Sequence, residues 1–219
     1  MKTKTIAASI AAALSLAAFA PTASAEAGQW FGHLRLAYID PADESTAIPA
    51  LEAPADVIDV SSEYAPDISI GYFFTNNFAL ELLLTIPQQH AVYVKAPGDD
   101  VYLGHFTHLP PTLFAQYHFA PEGKINPYIG VGLNLTWIMD DELAVDGGEL
   151  GVLPLELDSS SIGPALQVGV DFAITDKMSI SADIKKIWIS SDVTVPGVGK
   201  VTQVDVDPYI YSIGIGYKF

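Results

Sequence analysis

The chain has 219 residues, 50% of them hydrophobic, with a formal charge of −16 and no cysteine. That acidity argues against nucleic acid as a partner, and the missing thiols exclude disulfides, thiol catalysis and a cysteine-held metal. A chain both this apolar and this acidic must segregate its acids, and they fall mostly outside the stretches where apolar and polar residues alternate.

Residues 1–25 open with Lys2 and Lys4, continue as an apolar run from Ile6 to Ala20 and end in Ala23-Ser24-Ala25. This is the pattern of a cleaved signal peptide, with a mature single domain over 26–219. The apolar run is too short to span a bilayer comfortably, and no other stretch is long enough for a membrane helix. A membrane destination after export would therefore be reached by strands.

From Glu26 the chain reads as strands joined by connections of two lengths. Strand one, Trp30 to Ile39, alternates Trp30, Leu34, Leu36 and Tyr38 against Phe31, His33, Arg35 and Ala37. An acidic loop, about Asp40 to Ser62, leads to strand two, Tyr64 to Phe74, where Ile68, Ile70, Tyr72 and Phe74 face out and Asp67, Ser69, Gly71 and Phe73 face in. Thr75-Asn76-Asn77 turns tightly into strand three, with Leu80, Leu82, Leu84 and Ile86 outward and Glu81 inward. A long hairpin around Ala96 to Asp100 tops strands three and four. Strand four, ending at Phe119, puts Leu109, Leu113, Ala115 and Tyr117 outward.

Strand five alternates Ile129, Val131, Leu133, Leu135 and Trp137 against Tyr128, Gly130, Gly132, Asn134 and Thr136. A second acidic loop, about Asp140 to Ser159, precedes strand six, with Gln167, Gly169 and Asp171 inward. Asp176-Lys177 turns into strand seven, with Asp183, Lys185, Ile187 and Ile189 inward and Trp188 outward. A loop from Ser191 to Thr202 leads to the closing strand, DPYIYSIGIGYKF, whose greasy face carries Tyr209, Tyr211, Ile213, Ile215, Tyr217 and Phe219. Aromatics at both ends of an aliphatic stripe mark a strand crossing a bilayer.

The reading predicts an all-β fold, an eight-stranded antiparallel transmembrane β-barrel of the outer-membrane type, with three short turns at one end and four long loops at the other. A soluble lipid-binding barrel would not carry outward faces this uniformly apolar, with Trp30, Trp137 and Trp188 near strand ends. Eight strands leave a lumen wide enough only for side chains or one slim guest.

The segments DISIGYFFTNNFALELLLTIP, LPPTLFAQYHFAPEGKINPYIGVGLN, SIGPALQVGVDFAITDKMSISADIKKI and DPYIYSIGIGYKF resemble the OmpW/AlkL family of outer-membrane proteins. The resemblance implies a monomeric barrel in the cell outer membrane, in contact with lipid and lipopolysaccharide, with an apolar passage for small hydrophobic molecules and release through the wall. The terminal aromatic, Phe219, resembles the signal read by the barrel-assembly machinery.

No enzyme chemistry is expected. His118 and Asp171 face inward, but no serine matches them and no nucleophile motif surrounds any serine. His105 and His108 are read as solvated or interfacial, since no second ligand pair has zinc-like spacing; neither metal nor cofactor is expected. The acidic loops suit solubility, or divalent cations beside lipopolysaccharide.

Two sets of inward residues follow. Toward the short turns stand His33, Arg35, Glu81, Gln116, His118, Asp171, Asp183, Lys185 and Lys218, of both signs, predicting a polar periplasmic plug. Toward the long loops stand Leu83, Phe114, Ile187, Ile189, Val206 and Ile210, predicting an apolar upper lumen. If the long hairpin turns at Gly98-Asp99, Pro87 faces Pro110 beside Pro111, a seam without amide donors that is either a candidate lateral gate in the bilayer or part of the solvated hairpin above it, where prolines cost little. The alternative is a structural or surface-interaction barrel with a closed lumen and loops that contact partners.

Overall fold

The computed structural model describes residues 27–42, 44–47, 54–96, 98–146 and 151–219. The expected signal peptide over 1–25, its cleavage at Glu26 and Pro97 at the hairpin tip lie outside the described residues. In chain order the strands are β1 (Trp30–Asp40), β2 (Glu44–Ser45), β3 (Ile58–Val60), β4 (Glu63–Phe73), β5 (Phe78–Thr85), β6 (Gln88–Val94), β7 (Val101–Leu109) and β8 (Thr112–His118). They continue as β9 (Ile125–Asp146), β10 (Val152–Leu157), β11 (Ser160–Ala173), β12 (Met178–Ile187), β13 (Ser190–Val195), β14 (Gly199–Asp205) and β15 (Tyr209–Lys218).

The ring β1-β4-β5-β8-β9-β11-β12-β15 is antiparallel throughout and closes where β15 pairs β1. Closure leaves no edge in hydrocarbon, which a spanning sheet requires. Alternation sends Leu34, Leu36, Ile68, Val131, Leu133, Ile162, Val168 and Ile213 outward, all exposed on the barrel wall. Two of the short turns share one device: Thr75 and Thr175 each accept a hydrogen bond from the amide three residues on, Phe78 and Met178, at 2.9 and 3.0 Å.

The expected long loops are mostly strands. The order β3-β6-β7-β9-β10-β13-β14-β2 forms a second sheet on top of the barrel, with β9 common to both, its lower half in the barrel and its upper half in the second sheet. Its ends meet where Asp56 N donates to Ser45 O at 3.0 Å and Ser45 N donates to the Asp56 carboxylate at 3.1 Å. This crown corrects the sequence reading at Asp40–Ser62, Asp140–Ser159 and Ser191–Thr202. The physical reason is the sign of the alternation. Leu143, Val193 and Val204 are buried, while their neighbours Glu142, Asp192 and Asp205 point outward, so the average composition looks like an acidic loop.

Two strands change phase where barrel becomes crown. Inward residues on the third strand of the ring are odd-numbered up to Leu83 and even-numbered from Gln88, the switch falling at Ile86-Pro87. On β9 the inward set runs from Asn134 and Thr136 to Leu143, and Asp140 sits between them with a φ of 50°. An aspartate tolerates that left-handed backbone, and the extra residue re-aims the side chains that follow. Gly104, at φ 137°, makes the matching close approach on β7, where a Cβ would lie 1.8 Å from Glu142 O.

Candidate functional site

The lumen is built in layers. At the short-turn end, Phe31 and Phe73 pack with ring centroids 4.8 Å apart, and His118 stacks on Tyr128 at 5.0 Å. Gly71 makes room for the Phe31 ring and Gly169 for the Tyr128 ring.

Above them lies a hoop of charge. Arg35 reaches Asp67 through Nη2 at 3.0 Å, Asp183 through Nη1 at 2.9 Å and Glu81 through Nη2 at 3.3 Å. Lys185 Nζ donates to Asp67 and Asp183 at 2.6 Å each and to Ser212 at 3.1 Å. His33 meets Glu81 at 2.8 Å through Nδ1 and Asp171 at 3.4 Å through Nε2. Gln116 donates to Glu81 and to Gln167, whose amide donates to Asp183 at 3.0 Å. His118 is held between Gln116 and Asn126, and among the described residues no hydroxyl hydrogen-bonds to it.

Every strand of the ring contributes: His33 and Arg35 from β1, Asp67 from β4, Glu81 from β5, Gln116 from β8, Asn126 from β9, Gln167 from β11, Lys185 from β12 and Ser212 from β15. The structure thus brings together the predicted His33, Arg35, Glu81, Gln116, His118, Asp171, Asp183 and Lys185. Lys218 is half-buried at the base. Asp67 and Gln167, which also alternate inward, join them, and Asp67 and Asp183 are the carboxylates shared by the two cations.

Leu83, Phe114, Ile187 and Ile210 are buried above the hoop as a floor. Ile189 and Val206 rise from it into the crown and line a chamber of about 400 Å³ with Val60, Val92, Leu143 and Val204. That volume lies within the range of small-molecule sites, roughly 300 to 1,000 Å³.

The proline seam differs from expectation in register. The β6–β7 ladder pairs Gln88 with His108, and the β5–β8 ladder resumes only at Leu83 with Thr112. Continued downward, the upper ladder would set Pro87 against Leu109 rather than Pro110. The reason is that the upper ladder, Tyr93 with Tyr102 and Val94 with Val101, is centred one residue before Gly98-Asp99, and the bulge at Val92/Tyr93 makes up only half of that offset. Ile86 and Pro87 belong to no ladder on either side, because β4–β5 pairing also stops, at Asp67 with Thr85. Pro66, the next residue of β4, adds a fourth proline to this gap. Side chains hold it together: Thr85 donates to Pro66 O at 3.2 Å, Gln88 to Thr85 at 2.7 Å, Thr112 to Pro110 O at 3.2 Å and Asn134 to Pro111 O at 3.3 Å.

The outer face changes polarity at this level. Ile86 and Leu109, the latter paired with Trp137, end the apolar band, and Gln89, Thr107 and His105 begin the polar one. The seam therefore sits at the outer rim of the apolar band, with β6 and β7 above it. His108 is buried inside the crown, which corrects its reading as solvated or interfacial; by alternation on β7 it shares a face with Phe106. Burial pushes its imidazolium pKa down to about 3, with His90 beside it acting in the same direction. His105 remains on the outside, 3.4 Å from the Tyr102 hydroxyl and 3.8 Å from the Glu142 carboxylate.

The family model of the OmpW family matches residues 26–219. The chain belongs to the OmpW family. Outer membrane protein W of Vibrio cholerae is 30% identical over 213 residues, covering 95% of this chain and 96% of that one. The crystal structure of the outer membrane protein OprG from Pseudomonas aeruginosa superposes with a TM-score of 0.78 at 30% identity, over 90% of this chain and 99% of that one. The solid-state NMR structure of outer membrane protein AlkL in lipid bilayers has a TM-score of 0.67 over 92% of this chain and 94% of that one, and at 22% identity it supports the fold alone. This OmpW-family barrel is an outer-membrane protein whose apolar wall faces lipid.

Proposed function

We propose that the barrel is a passage for small hydrophobic molecules, entered from outside through the crown and left sideways into the membrane. The observation that carries this reading is an apolar chamber of about 400 Å³ standing on a lumen closed by paired charges. An apolar guest has no reason to cross the hoop, since separating buried ion pairs costs several kcal/mol. A barrel built only for structure has little use for an apolar interior above a polar one. Passage of small molecules is also in keeping with the OmpW and OprG likenesses.

The exit is assigned to the seam at Pro87, Pro110 and Pro111. Backbone groups left unpaired in hydrocarbon cost several kcal/mol, and a proline removes the donor that would pair them. At the rim of the apolar band such a gap gives a guest lateral access to the lipid. The closing strand with Phe219 is read as the segment recognised by the assembly machinery, and residues 1–25 as the export signal.

The test replaces Pro87, Pro110 and Pro111 together with threonine or valine, which can donate. Uptake of a small hydrophobic compound into liposomes is then measured beside barrel stability. Uptake is expected to fall severalfold in a folded triple variant; unchanged uptake would remove the exit from this seam while leaving the chamber as an entry site.

A further inference from the structure

The passage described above makes no use of two imidazoles in the crown. His108 lines the chamber, and His90 is fully buried beside it, with ring centroids 4.9 Å apart. Their protonation sites follow from partners that can play only one part.

The carbonyls of Pro66 and Ile86 can only accept, so the Thr85 hydroxyl donates to one of them, at 3.2 or 3.3 Å, and its oxygen is left to accept. Gln88 Nε2 supplies that donor at 2.7 Å, which turns its carbonyl oxygen toward His108 at 3.1 Å. His108 therefore carries its proton on Nε2, and Nδ1 is a bare lone pair. On His90 the Nδ1 proton goes to the Ser61 carbonyl at 2.7 Å, so Nε2 is bare, and it is buried without a partner.

Among the described residues, these two acceptor nitrogens on neighbouring rings have no protein donor. The other polar groups lining the chamber cannot serve them. Thr202 donates to Thr46 O at 2.9 Å, and Ser191 donates to Asp192 O at 3.4 Å. The unmet capacity of this wall is of one kind, acceptor, in surroundings that are otherwise apolar. A buried acceptor left unpaired is costly, and a guest that supplies a donor removes the cost.

We infer that the chamber selects small apolar molecules carrying one hydroxyl or N–H group, held at His108 Nδ1 with the His90 ring beside it, over hydrocarbons of the same size. This rests on the passage reading above and names its substrate class. Phenols, indoles and medium-chain alcohols have that chemistry.

The experiment compares p-cresol with p-xylene, which match in shape and differ by a hydroxyl for a methyl. The full-length mature barrel is placed in lipid nanodiscs, binding is followed through the methyl resonances of Ile189 and Val206, and each affinity is referred to partition into empty nanodiscs. The wild type is expected to prefer p-cresol roughly tenfold, the worth of one good hydrogen bond. His108→Phe should lose the preference while still binding p-xylene, and His108→Gln, which keeps a carbonyl acceptor, should retain part of it. Should His108→Phe fail to fold, His90→Phe and His108→Gln carry the same comparison.

Equal affinities in the wild type, or a preference that survives removal of both imidazoles, would overturn the inference and leave the apolar chamber standing. Binding of neither compound would overturn the chamber reading itself, and the inference with it.

Discussion

The membrane barrel and the crown are made from the same strands turned inside out. In the barrel the outer face is aliphatic and the lumen holds Arg35, Lys185, Asp67, Glu81 and Asp183; in the crown the outer face carries Asp192, Glu142 and Gln203 while Val193, Leu143 and Val204 fill the interior. The difference follows from the solvent on each side. Hydrocarbon demands an apolar exterior and tolerates charge only where it is paired within, whereas water accepts the acids and drives the valines and leucines inward. The two interiors consequently respond to different perturbations, and the seam at Pro87 is where one regime passes to the other.

The largest effect is expected from Arg35→Met. It leaves Asp67 and Asp183 with Lys185 as their cation and Glu81 with His33, and breaking a buried charge cluster on one side costs about 3–5 kcal/mol. Urea unfolding from lipid vesicles should show the loss, and amide exchange in β13 and β14 should be unaffected until the barrel itself opens. Next comes Gly169→Val. A Cβ there would lie 2.3 Å from the Tyr128 ring, so the aromatic layer must shift, at about 1–3 kcal/mol or more. The same urea titration reads it.

A smaller effect, confined to the crown, comes from pH. The His108 pKa is lowered in the folded state, so the unfolded crown takes up the proton first and stability falls as pH drops from about 6.5 toward about 3. His90 and Gln88 are the groups that face it. The protection factors of amides in β6 and β7, which are corrected for the intrinsic pH dependence of exchange, should therefore fall between pH 7.5 and pH 5, and His108→Phe should reduce that fall, with the buried His90 supplying the remainder. The smallest effect belongs to Lys200→Ala on the crown's wet face. Its ion pair with Asp192 at 2.6 Å is exposed on both sides, so the change should cost below about 1 kcal/mol and leave p-cresol binding at the wild-type level.

How much was legible in the sequence divides along the same line. The barrel strands were plain because lipid writes an uninterrupted aliphatic stripe, as in Ile129, Val131, Leu133 and Leu135, and the charged lumen followed from the opposite face. The crown was hidden because its stripe is interrupted by acids and by phase shifts at Pro87 and Asp140. The register assumed for the prolines failed because the hairpin ladder is centred one residue before Gly98-Asp99, an offset that the one-residue bulge at Val92/Tyr93 only half makes up. His108 could have been placed by carrying the alternation of Phe114, Thr112 and Pro110 one step upward. The chamber required the crown to be known first, since its wall is drawn from the segments that read as loops.

The charged hoop also constrains how this barrel reaches its final state. Arg35 on β1 has carboxylate partners on β4, β5 and β12, and Lys185 on β12 reaches Asp67 on β4 through the barrel interior. Neighbouring strands alone cannot supply those partners, so a half-formed sheet moving into the bilayer would carry bare charge into hydrocarbon. Ring closure and burial of the hoop must therefore occur together and late. A variant lacking one cation should accumulate as a surface-bound, protease-sensitive species on the route to insertion.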